Sequence, residues 1–263
     1  MAIVSARKFM DDVAQVRQVD ISGMKRFFRR NLQRVGLGAA PVEVPRDVMD
    51  FIRSRNIRVI LDVGANVGQF GETMRAKGYR GKIVSFEPIS AVYRVLAAKA
   101  AADGNWQANN FALGAKAQRT TIHVSRLSVY SSILRSTDAA TRFDDDAVVK
   151  RDETIEVRTL DDICPDLSEP TLLKIDTQGY EQQVLEGARR VLPGMAAVLM
   201  ELPIIHLYEC NWQFHEAVAF MAGVGFVPAQ IHPVNYHSAD DVSLVEVDCL
   251  FRPRDERLDA GPN

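Results

Sequence analysis

Cysteine is scarce in this sequence. There are 3 in 263 residues, Cys164, Cys210 and Cys249, widely spaced and odd in number. That excludes a disulfide framework and a zinc pattern, and leaves the expectation of buried thiols in a reducing compartment. Long hydrophobic runs are missing as well. None approaches the roughly 18 residues of a membrane span, and the N-terminus has no apolar signal-peptide core, so the cytoplasm is the expected location. Charge of one sign is also lacking. The formal net charge is −2, too small for a global field that would recruit nucleic acid or membrane. No internal repeat or low-complexity tract is present. What is there, 47% hydrophobic and 25% charged residues, is ordinary globular composition. The length suits one sizeable α/β domain with a short extension.

The most informative stretch is Arg58 to Gly68, Arg-Val-Ile-Leu-Asp-Val-Gly-Ala-Asn-Val-Gly. Val59, Ile60 and Leu61 suit a strand buried on both faces. Asp62 ends it, Gly64 and Gly68 bracket a tight turn, and Gln69 to Ala76 has helical composition. A strand, a glycine turn and a helix N-terminus are the parts of a nucleotide site. The spacing Asp-x-Gly-x-x-x-Gly is not that of the dinucleotide fingerprint. An acid at this point is a poor neighbour for a pyrophosphate and a good partner for an ammonium group. The pattern therefore points away from NAD and toward the cationic cofactor S-adenosylmethionine. An ordinary strand-to-helix turn is the competing explanation.

Lys82 to Glu87 is again an apolar strand ending in an acid. Glu87 follows Asp62 at somewhat more than the roughly 20-residue spacing at which an acid holds a nucleoside ribose. Ser90 to Ala102 reads as a helix with Ser90 as N-cap. Trp106 to Leu113 reads as a third strand, with Asn109 and Asn110 available either to read an adenine edge or to form a turn. Thr120–Val124, Val129–Leu134 and Thr154–Val157 read as strands, Asp144 to Asp146 as a solvated acidic turn, and Thr159 to Asp161 as the start of a turn or helix.

The second anchor is Thr171 to Glu181, an apolar strand ending in Asp176 and followed by a glycine turn, with a helix from Gln182 to Val191. Lys174 shares a strand face with Asp176. Either its ammonium pairs with an acid at the sheet end, or it is catalytic. Ala196 to Glu201 reads as a fifth strand ending in an acid, with His206 in the loop beyond. A helix over Phe214–Gly223, strands over Phe226–Gln230 and Ser243–Phe251, and a fraying polar tail from Arg252 complete the chain. Residues 1–50 stand apart. Apolar positions from Phe9 to Val35 recur at helical steps with arginines and lysines between them, which predicts one or two amphipathic helices with a basic face, followed by a linker at 36–45. They form either a lid on the main domain, 51–263, or a surface, through residues 1–35, that weakly meets acidic lipid or an anionic glycan carrier.

Strands alternating with helices, with acids at strand ends, suggest an α/β doubly wound sheet. At this point the chain resembles the FkbM family of S-adenosylmethionine-dependent methyltransferases, within the class I methyltransferase fold. The resemblance runs from about Val59 to Phe251. It is carried by Leu61-Asp-Val-Gly-Ala-Asn-Val-Gly68, Ser85-Phe-Glu-Pro88, Ala112-Leu-Gly114, Thr159-Leu-Asp161, Leu173-Lys-Ile-Asp-Thr-Gln-Gly179 with Glu181, and Val247-Asp-Cys-Leu-Phe251. It implies a Rossmann-like seven-stranded sheet of order 3-2-1-4-5-7-6 with the last strand antiparallel, and an enzyme that methylates oxygen, often a sugar hydroxyl of a glycan, glycolipid or antibiotic. It implies that Asp62, Gly64, Ala65, Asn66 and Gly68 line the methionine part of the cofactor, that Glu87 holds the ribose with Pro88 beside it, that Asn110 to Ala112 lie near the adenine, and that Asp176 lies next to the methyl group. The family often has Glu where this chain has Gln178, which argues against an acid, base or metal role there.

An alcohol is a weak nucleophile, so a base should take its proton during attack. The candidates are Asp176, Glu201 and His206. The sequence shows no dense carboxylate cluster and no metal is expected, with a divalent ion between Asp176 and Glu201 as the alternative. The acceptor could instead be a nitrogen, a small phenol or a macrolide, or the chain could be a non-catalytic partner subunit. The expected partner is a small-molecule or glycan acceptor, with no nucleic acid. Oligomeric state is open.

Overall fold

The computed structural model describes residues 47–135, 137, 147–205, 208, 212–237, 240 and 242–259, all within the compact unit Arg46–Asn263. The N-terminal helices expected from Phe9 to Val35, the linker at 36–45, the acidic turn at 144–146, Cys210 and His206 lie outside the described residues. Among those described, no helix is long and apolar enough to cross a membrane.

Helix α1 (Val48–Ser54) is capped by Asp47, whose side chain accepts from the amides of Met49 and Asp50. Strand β1 (Val59–Val63) leads through the first glycine turn into α2 (Gln69–Ala76). Then come β2 (Lys82–Phe86), α3 (Ser90–Asp103) and β3 (Trp106–Asn109). After β4 (Ala112–Leu113), β5 (Gln118–Ser125), β6 (Val149–Arg158) and α4 (Leu160–Ile163), the core resumes with β7 (Thr171–Ile175), α5 (Glu181–Glu186) and β8 (Ala197–Pro203). Helix α6 (Phe214–Gly223), β9 (Phe226–Tyr236), β10 (Leu244–Pro253) and α7 (Glu256–Asp259) end the fold.

Seven strands form one sheet in the order β3-β2-β1-β7-β8-β10-β9. Counted within that sheet this is 3-2-1-4-5-7-6, with β10 antiparallel to both neighbours, as expected. Each face is sealed by helices. Ile60, Ile83, Leu172, Leu199 and Leu250 pack with Met49, Ile52, Met74 and Leu96 of α1 to α3. Leu61, Leu173, Val198 and Phe251 pack with Val184, Leu185 and Met221 of α5 and α6 on the other face. Period-two alternation thus sends neighbouring residues of every central strand into two different cores.

Several local expectations fail. The stretch Trp106–Leu113 is two strands, not one: β3 belongs to the main sheet, and β4 joins β5 and β6 in a second, three-stranded sheet. Val129–Leu134 is not a strand. Ser128–Tyr130 forms a 3-10 turn, and only Ser132 bridges β5, at His123. Serine side chains explain this. Ser131 Oγ accepts from the Ser125 amide at 3.1 Å, and Ser132 Oγ accepts from the Leu134 amide at 3.0 Å, local bonds that compete with a ladder. Ser90 is not an N-cap. Its amide and hydroxyl donate to Glu153 Oε1 of β6 at 2.9 and 2.7 Å. Strand β8 continues past Glu201 to Pro203, and the tail carries α7, tied down by an Arg252–Asp259 ion pair at 2.5 Å.

Candidate active site

The turn after β1 requires glycine at Gly64. Its φ is +74°, and a Cβ there would stand 1.8 Å from the backbone oxygen of Asp176. Without a side chain at Gly64, the turns after β1 and β7 can touch. Gly68, at φ +90°, begins α2, and no side chain caps that helix. The amides of Gly64 and Ala65 donate to Phe86 O at 3.1 and 3.0 Å, and the Asn66 amide donates to Glu87 Oε2 at 3.0 Å. The glycine turn is thereby pinned to the end of β2.

Asp62 is fully buried. Its Oδ2 accepts from Ser85 Oγ at 3.0 Å, and Ser85 in turn accepts from Trp106 Nε1 at 2.9 Å. Oδ1 lies 3.2 Å from Lys174 Nζ. That contact is ionic rather than an aligned hydrogen bond, and Oδ1 has no hydrogen-bond donor of its own. The Lys174 ammonium also lies 3.3 Å from Asp176 Oδ2 and 5.6 Å from the centre of the Phe70 ring. Burial works against its charge, but the Asp176 and Asp62 carboxylates outweigh it and lift the ammonium above its ordinary value. Of the two readings of Lys174, the ion pair is the one observed, and it is made to two acids.

Glu87 is buried, and its second oxygen accepts from the Ile89 amide at 2.8 Å. Burial raises its pKa to about 7, although these two backbone donors oppose the shift. Each oxygen keeps a free lone pair, which is what a ribose diol needs. Asn110 does not present its amide nitrogen outward. Nδ2 donates to the carbonyls of Glu87 and Pro88 at 2.9 and 3.0 Å, which fixes the loop after β2. Ala112 is buried at the start of β4.

Around the second turn the sequence suggested no carboxylate cluster, and the structure builds one. The β7–β8 register pairs Ile175 with Met200, so Asp176 comes abreast of Glu201, and β10 sets Asp248 opposite Glu201. Glu246 lies two residues along the same face of β10. Like charges side by side raise one another's proton affinity. Glu201 is pushed well above the ordinary carboxylate range by burial, then by Asp176, Glu246 and Asp248. Burial, with nearby acids adding to it, lifts Asp248 to about 6 and Glu246 to about 7. Among the described residues no group of three or more His, Cys, Asp or Glu is arranged to hold a metal.

Gln178 sits inside this cluster. Its Nε2 donates to Asp176 Oδ1 at 3.0 Å and Glu201 Oε1 at 2.8 Å. Its Oε1 accepts from Tyr208 OH at 2.8 Å. Ser128, on the 3-10 turn, exchanges hydrogen bonds with the Asn66 side chain at 3.0 to 3.1 Å. The sequence reading missed Ser128, Tyr208, Glu246 and Asp248. Two acids on an otherwise apolar strand could have flagged the last two, whereas nothing in the sequence marks Ser128 or Tyr208.

The sequence-identified residues Asp62, Gly64, Ala65, Asn66, Gly68, Glu87, Asp176 and Glu201 therefore meet along one rim of the sheet. Such a negative rim, with a buried Asp62 oxygen that accepts no hydrogen bond, fits a ligand carrying an ammonium, a sulfonium and a vicinal diol. Residues 62–228, more than half of the chain, match the methyltransferase FkbM domain family. No curated protein matches the sequence. Among solved structures, one similar chain is an FkbM methyltransferase from Methylobacillus flagellatus KT, at 15% identity and TM-score 0.47 over 75% of this chain and 44% of that one. Another is a Burkholderia thailandensis 1,6-didemethyltoxoflavin-N1-methyltransferase with S-adenosylhomocysteine, at 12% identity and TM-score 0.44 over 97% and 89%. A third is an O-methyltransferase from neocarzinostatin biosynthesis with S-adenosylmethionine, at 8% identity and TM-score 0.40 over 76% and 50%. The chain thus spans less than half the length of the FkbM structure it matches.

Proposed function

Since the chain belongs to the FkbM family of S-adenosylmethionine-dependent methyltransferases, we propose that it transfers a methyl group to a hydroxyl, on a sugar of a glycan, glycolipid or secondary metabolite. The observation that carries this reading is the run of carboxylates abreast on neighbouring strands, Asp176, Glu201 and Asp248. Carboxylates accept hydrogen bonds from several hydroxyls of a polyol at once.

In this reading Asp62 faces the ammonium of the cofactor with the oxygen that accepts no hydrogen bond, Glu87 takes the ribose diol, and the uncapped start of α2 offers N–H groups to a carboxylate. Bound there, the cofactor supplies an electrophilic methyl. The chain's own residues hold the acceptor oxygen in line and receive its proton. Glu201 suits the second task, because a carboxyl with raised proton affinity is a better base toward an alcohol. Asp176, held by Lys174, orients the hydroxyl next to the methyl. Cytoplasmic location belongs to the same reading, supported by Cys164 and Cys249 as free thiols.

The test has two stages. S-adenosylmethionine should raise the melting temperature of the purified chain. Labelled cofactor is then offered with sugars and cell-envelope glycan fractions, with phenols and with amines. Label in the sugar fraction supports the proposal. Label only in phenols or amines moves the acceptor class, and no thermal shift returns the chain to a non-catalytic role.

A further inference from the structure

Three features of Gln178 have no place in binding the cofactor. Its backbone φ is +55°, a left-handed conformation that is strained for a non-glycine residue. Its backbone oxygen accepts from Ser132 Oγ at 2.7 Å. Its side-chain amide spends both hydrogens on carboxylates of adjacent strands. The amide can point only one way, because a flip would aim its oxygen at Asp176 and Glu201, and the Tyr208 hydroxyl already donates to that oxygen. Burial, and then the acids around it, keep the Tyr208 phenol protonated and therefore a donor.

The groups facing the pair come from every neighbouring element. Lys174 and Asp62 lie behind Asp176. Glu246 and Asp248 stand beside Glu201 on β10. Glu181 of α5 accepts from the amides of Thr177 and Gly179 at 2.9 and 3.1 Å and holds the turn from below. Lys174 is the one cation in this set, and it lies on the Asp176 side. On the Glu201 side the neutral amide of Gln178 separates two carboxylates that would otherwise repel or share a proton.

We infer that Gln178, oriented by Tyr208, is a positioning residue for methyl transfer: its amide sets the separation of Asp176 and Glu201 and turns one oxygen of each toward itself, so that the second Asp176 oxygen lies against Lys174 and the second Glu201 oxygen is left for the acceptor. This rests on the O-methylation reading above. A primary amide does not titrate near neutrality, so the bridge persists while the acids around it change charge. A glutamate at this position would add a fifth acid to Asp176, Glu201, Glu246 and Asp248 and remove the donor.

The experiment uses the full chain, with S-adenosylmethionine and S-adenosylhomocysteine as probes, titrated calorimetrically from about pH 5.5 to about pH 8.5. The two probes differ by the sulfonium charge, so their affinity ratio reports the ionisation of the acids beside it. In the wild type the preference for the cation rises with pH. Gln178→Met, equal in length and without charge, removes the two donors and should move that rise up by about one pH unit. Tyr208→Phe frees the amide to turn and should move it the same way by less. A residue that only packs the turn would leave the profile in place. Profiles superimposable on the wild type in both variants, with both probes still bound, overturn the inference alone. If Gln178→Met does not fold, Tyr208→Phe decides. If the wild type binds neither probe, the methyltransferase reading fails and takes this inference with it.

Discussion

At the first turn the acid, Asp62, is sealed completely. At the second, a third of the Asp176 side chain is exposed. Both lie at the end of an apolar strand, Asp62 as the last residue but one of β1 and Asp176 just past β7, both precede a glycine in a left-handed conformation, and both share the Lys174 ammonium. They differ in what else they touch. Asp62 is held by Ser85, which is held in turn by the Trp106 indole, a fixed assembly whose other oxygen faces the Lys174 ammonium and accepts no hydrogen bond. Asp176 is held by a glutamine that also grips Glu201, and it keeps open surface. Exposure therefore divides the labour: the sealed acid suits recognition, and the open one suits contact with a second substrate.

The strongest way to break this comparison is to remove what the two turns share. Lys174→Met leaves a buried carboxylate uncompensated and should cost about 3–5 kcal/mol in urea unfolding. A loss below about 1 kcal/mol would mean the two acids do not depend on one cation. Asp62→Ala should weaken S-adenosylmethionine binding at least ~100-fold by calorimetry, near 3 kcal/mol. Asp176→Asn should leave that affinity within about 5-fold while turnover falls by roughly 100-fold, under 3 kcal/mol. If both variants lose affinity equally, the division between the turns is wrong. Gly64→Ala places a methyl group against the Asp176 carbonyl and should cost about 2 kcal/mol in the same unfolding assay, with both turns displaced; an unchanged midpoint would show that the turns have room to part.

The smallest effect is on pH dependence. Glu87 and Glu246 rise from 4.5 to about 7, and Asp248 from 3.8 to about 6. Between those values the folded chain binds more protons than the unfolded one, so stability falls as pH climbs. The melting temperature of the cofactor-free protein should drop from about pH 5 to about pH 7.5, and S-adenosylmethionine should flatten the drop. A rising curve over that window would mean these acids are not held apart from water as described.

Much of this was legible beforehand. Short β-branched runs ending in acids located β1, β2 and β7, and the helix over Phe214–Gly223 was read to both ends. The glycine turns were found because left-handed backbone has few alternatives in residue type. The second sheet was not recognised as one. Its strand β6 reads Val-Lys-Arg-Asp-Glu-Thr-Ile-Glu-Val-Arg, mostly exposed, and only its last residues alternate cleanly into a core. The acid cluster was also hidden, because it arises from the register between strands distant in sequence, and register is not written in any one of them. Lys174 was legible as an anomaly but not as a double partner, for the same reason.

Strand β7, which brings that lysine, pairs with β1 from Val59↔Thr171 onward. Closing so long a loop costs about 4 kcal/mol of chain entropy beyond the constant term. During synthesis, then, the glycine turn and Glu87 emerge long before the ammonium that faces Asp62. A nascent chain lacking β7 has no ammonium to set against Asp62. Docking of that strand is therefore the step at which the rim acquires its charge balance, and ligand-dependent protection from proteolysis should begin only with fragments that extend beyond it.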